Sequence, residues 1–119
     1  MNKLITEPTP TTLQGVFNRA WTWVNRPNFE RCTDRDGCCV YRSPDGTNAC
    51  LIGCCIPDED YRATLENIPI VAIQSLFFHG ISPWDLSQLQ KCHDLATTKE
   101  NTLENLEHFA RGHNLTIKL

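Results

Sequence analysis

The chain has little of what usually identifies a protein at sight. Its 119 residues include one methionine, no apolar run near the roughly 20 residues a membrane helix needs, and no glycine-rich phosphate loop, H-E-x-x-H pair or serine nucleophile elbow. A membrane span and the common nucleotide and hydrolase fingerprints are not expected. Positive charge is also scarce: 11 Lys and Arg against 14 Asp and Glu leave a net charge of −3, which offers no broad cationic footprint for a phosphate backbone. No direct nucleic-acid contact is expected. Residues 1–10 lack a signal peptide's apolar run and small-residue cleavage site, so the chain reads as cytoplasmic, where thiols stay reduced.

What the chain does have is sulfur. Six of seven cysteines, Cys32, Cys38, Cys39, Cys50, Cys54 and Cys55, fall in one short stretch. Their odd total and two adjacent pairs argue against a fully disulfide-paired scaffold, and a chain of this length buries a modest core without staples. The thiols then stand as metal ligands, as a nucleophile with its neighbours, or as small apolar fillers of a reduced core.

The local patterns predict a single α+β domain over 11–119, preceded by a loose or extended arm over 1–10 in which Pro8 and Pro10 bracket threonines. Thr11-x-x-Gln14 reads as a capping box opening a helix whose Leu13, Val16, Phe17, Ala20, Trp21 and Val24 recur at helical spacing before Pro27 stops it. A short β-hairpin is expected next. Val40-Tyr41-Arg42 is β-prone, Ser43-Pro44-Asp45-Gly46 has turn chemistry, and the chain returns through Ala49-Cys50-Leu51-Ile52. The run 69–78 reads as a buried helix, with a strand as its alternative. Ser82-Pro83-Trp84-Asp85 opens another helix with Leu86, Leu89, His93 and Ala96 down one face, and a last helix runs over 99–111 with Gly112 as its left-handed end. The hairpin is thus expected to pack on about four helices.

Three kinds of chemistry are compatible with these residues. A zinc site would draw on Cys39, Cys50, Cys54 and His93, although paired C-x-x-C knuckles are missing. A nucleophilic dyad would use Cys50 or Cys54 with His93 as base and Asp94 or Asp85 as orienter; the plainer reading of His93, on the apolar face of its helix, is a core histidine bonding a backbone carbonyl. A recognition surface would combine Tyr41, Arg42 and Asp45 at the hairpin tip with the acidic Asp58, Glu59 and Asp60. Here the plainer reading is that Arg42 pairs with Asp45 or Asp58 and locks the turn. No cofactor is implied.

The segments Cys39-Val-Tyr-Arg-Ser-Pro-Asp-Gly46, Cys50-Leu-Ile-Gly53 and Ile56-Pro-Asp58-x-x-Tyr61, followed by Leu89-Gln90-x-x-His93-Asp94, resemble a group of small phage and prophage proteins of unknown function. The likeness spans roughly residues 13–115 and departs from the group's pattern at Cys38 and Cys55. It implies a viral accessory protein in the host cytosol that binds a host protein without turnover, including an inhibitor of antiviral defence of the anti-CRISPR kind. A Cys/His enzyme and a small zinc module are the other expectations.

Overall fold

The computed structural model describes residues 4–117. Helix α1, Leu13–Val24, turns Val16, Phe17, Ala20, Trp23 and Val24 inward, so one stripe at helical spacing carries its packing. Its N-cap is Thr12, whose hydroxyl accepts the Gly15 N–H, one residue later than the expected box. Gln14 is occupied elsewhere. Its side-chain amide donates to the Thr116 carbonyl and accepts the Thr116 N–H, both at 2.9 Å, fastening the C-terminal tail across the helix start.

Helix α2 is Ile70–Phe77, α3 is Pro83–Asp94 and α4 is Lys99–Gly112; α3 packs on both α2 and α4, and α1 closes against α4. The start of α3 is as its sequence dictates. Ser82 accepts the Asp85 N–H, Pro83 sits where no donor is needed, and Leu86, Leu89, His93 and Ala96 are buried. The end of α4 differs from expectation, because Asn114 (φ 56°), not Gly112, takes the left-handed position. Leu115 N–H then reaches the Ala110 carbonyl at 2.8 Å and Asn114 N–H reaches Arg111, a Schellman closure. Among the described residues, no helix is long and apolar enough to cross a membrane.

The expected α+β class is not what the chain adopts. Among the described residues there is no strand or sheet, only two isolated antiparallel bridges, Thr33 with Cys39 and Arg42 with Ala49. The hairpin foreseen over 40–52 has a turn, with Gly46 at φ 74°, but no ladder. The cause lies in what pairs with the backbone. Glu66 directs its carboxylate at the N–H groups of Tyr41 and Arg42, at 2.8 and 3.0 Å, where a neighbouring strand would have placed carbonyls.

The returning segment also leaves the β region, through a 3-10 turn at Gly53–Cys55, and residues 49–57 are all buried. A loop inside a core must find partners for its polar groups, and side chains supply them. Trp23 indole N–H donates to the Ala49 carbonyl at 2.8 Å, Gln90 accepts the Ile52 N–H at 3.2 Å, and Arg42 donates to the Gly53 and Ile56 carbonyls. Sulfur completes the set. The Cys50 sulfur accepts the Gly53 N–H at 3.2 Å, and the Cys54 and Cys55 thiols both donate to the Leu51 carbonyl. These cysteines serve as compact fillers that also hydrogen-bond locally.

The expected arm is held at its described part. Leu4 and Ile5 give their N–H groups to the Asp58 carboxylate at 2.7 and 3.1 Å, and Ile5 is buried.

Candidate functional site

His93 lies at the last turn of α3, fully buried against the loop that precedes the first bridge. Its Nε2 accepts the Cys32 backbone N–H at 2.8 Å, so that nitrogen presents a lone pair and the ring proton sits on Nδ1. Nδ1–H in turn donates to Asp94 Oδ1 at 2.8 Å. Both ring nitrogens are therefore spent. Gln90 adds a second donor to Asp94 at 2.7 Å while its oxygen holds the Ile52 N–H, which ties α3 to the buried loop through one amide.

Cys39 is the sulfur that reaches this group. Cys39, His93 and Asp94 place ligand atoms within 4.8 Å of one another, and neither Cys50 nor Cys54 belongs to the cluster. Arg31 Nη2 approaches the Cys39 sulfur at 3.1 Å and the Asp94 carbonyl at 3.3 Å. Burial nonetheless raises the Cys39 thiol above its ordinary value, with Arg31 opposing the rise and Asp94 adding to it. Asp94 goes the other way. Burial works against its charge, but the hydrogen bonds from His93, Gln90 and Cys39 outweigh it and hold the carboxyl below the usual range. Burial thus disfavours the thiolate at Cys39.

The dyad expected of Cys50 and His93 is not assembled. The Cys50 sulfur faces Gly53 N–H, and complete burial pushes its thiol well above the ordinary value. The four-ligand zinc set also comes apart, since Cys39 and His93 meet at Asp94 while Cys50 and Cys54 point into the buried loop. Even the compact trio lacks a nitrogen for an ion: with Nε2 accepting from Cys32, the Nδ1 that faces Cys39 and Asp94 carries a proton.

Of the six residues expected to form a recognition surface, three are withdrawn. Arg42 is buried, with Nη1 on Asp58 at 2.7 Å, two further donors on backbone carbonyls and its guanidinium 5.1 Å from the Tyr61 ring centre. This is the plainer reading of Arg42, with Asp58 as its partner. Asp58 is held below the usual carboxyl range: burial opposes its charge, and Arg42 with the N–H groups of Ile5 and Leu4 overcomes that. Tyr41 is half-buried, and burial pushes its hydroxyl up to about 12. Asp45, Glu59 and Asp60 remain exposed. Asp45 organises its own turn, accepting from Ser43 and Thr47, and those bonds lower its carboxyl.

Cys39, Tyr41, Glu66, Gln90 and Asp94 line a cleft of about 160 Å³, room for about five waters. A larger depression of about 660 Å³ lies between residues 4–11 and α1, far from this chemistry; its charged groups, Glu7 and Arg19, pair with each other at 3.1 Å. Glu66 and Arg31 were not foreseen from the sequence. Each acts on residues distant in the chain, and no local spacing marks either. No protein-family model, no curated protein and no solved structure matches this chain.

Proposed function

We propose that this chain is a small phage-type accessory protein that works in the host cytosol by occupying a host protein, without turnover. The observation that carries the reading is the state of His93, whose two nitrogens are taken by Cys32 N–H and Asp94. A catalytic base needs a free lone pair within reach of its nucleophile, and here burial raises the neighbouring Cys39 thiol above its ordinary value. The groups that carry chemistry elsewhere serve here to position the buried loop. Recognition then falls to what is exposed, with Asp45, Glu59 and Asp60 facing a basic surface on the partner.

The test is reconstitution. Tagged chain expressed in bacteria is cross-linked, its partner identified, and the complex rebuilt from two purified proteins. A fixed stoichiometry is expected, with affinity falling about tenfold or more on reversing Asp45, Glu59 and Asp60 to Lys, chiefly through the association rate. Unchanged binding after that reversal, or multiple turnover of a substrate dependent on Cys39, would overturn the reading.

A further inference from the structure

We draw no further inference here: the strongest candidate, the pocket of about 250 Å³ between Arg31 and the start of α4, offers an anion a helix N-terminus and nothing else that points to a ligand, since Arg31, despite an unpartnered Nε, is half-buried and already bonded through Nη2 to Cys39 and Asp94.

Discussion

Residues 49–57 have almost no regular structure and lie wholly inside, whereas α2 is a regular helix of mostly apolar residues in which Ile73 alone is fully buried and Val71, Ser75 and Leu76 are exposed. Regularity lets α2 do without cover, because a helix satisfies its own interior backbone groups and loses little to water on their account. The irregular loop has no such provision. It stays buried because Trp23, Arg42, Gln90 and the sulfurs of Cys50, Cys54 and Cys55 bring donors and acceptors to it. Apolar content does not separate them sharply: 49–57 has seven apolar residues with Gly53 and Pro57, and α2 has six with Gln74 and Ser75. The site of a segment is decided by whether its polar groups are met.

That contrast breaks first at Gly53. A Cβ there would fall 2.0 Å from the Tyr41 carbonyl oxygen and 2.8 Å from its carbon, both rigid backbone. Gly53→Ala should cost about 4 kcal/mol or more, leaving little folded protein in a urea titration. Arg42→Met keeps volume but removes the charged donor from Asp58 and the guanidinium donors from the Gly53 and Ile56 carbonyls; about 3 kcal/mol is expected, measured the same way. A wild-type midpoint for Arg42→Met would mean that the loop does not depend on being met from outside.

Alkaline pH attacks the same region without a mutation. Burial raises the thiols of Cys50 and Cys54 well above 9.0 and that of Cys32 to about 12. In the unfolded chain these thiols ionise near their ordinary value, so above pH 9 the unfolded state binds fewer protons than the folded one and stability falls as pH rises. Each thiol contributes about 1.4 kcal/mol of loss per pH unit until its folded value is reached. The opposite sign holds for Asp58 and Asp94, whose lowered carboxyls contribute stability above 3.8 that is lost as pH falls through their folded values. Thermal melts between pH 3 and 11 should show a plateau with a steep alkaline limb and a shallower acid one. A flat alkaline limb would mean that these thiols titrate freely in the folded chain.

His93→Phe comes next in size. The ring volume stays, but Cys32 N–H loses its acceptor inside the core and Asp94 loses its strongest donor, for about 2 kcal/mol by denaturant titration. The position of His93 was legible in the sequence, because its spacing from Leu86 and Leu89 puts it on the buried face and a buried ring needs partners. The start of α3 was legible too, where Ser82 and Pro83 act within one turn, and so was the pairing of Arg42 with a carboxylate, though the sequence left Asp45 and Asp58 as alternatives. The missing hairpin was not legible. Val40-Tyr41-Arg42 has strand propensity, and what diverts it is Glu66, 25 residues beyond Tyr41, with Gln90 further on still. Local pattern reports what a segment can form and is silent on who arrives to satisfy it. The left-handed end of α4 shows the same limit: Gly112 is free to adopt that conformation, but the closure from Leu115 to Ala110 sets it at Asn114.

The smallest effect is expected on α2, and it is the most pointed. The sequence reads this helix as buried from its composition, and a buried leucine cut to serine would cost several kcal/mol through lost transfer energy and an empty cavity. Leu76 stands 57% exposed, so Leu76→Ser should move stability by no more than about 0.5 kcal/mol. The same substitution in loop residue Leu51, fully buried, should cost about 4 kcal/mol, since it opens a cavity and adds a hydroxyl inside it. Two leucines of equal composition thus differ by about 3.5 kcal/mol in denaturant titrations, and the ratio reads out burial without reference to the helix either belongs to. Equal costs at the two sites would mean that Leu76 is covered in solution as well as Leu51 is.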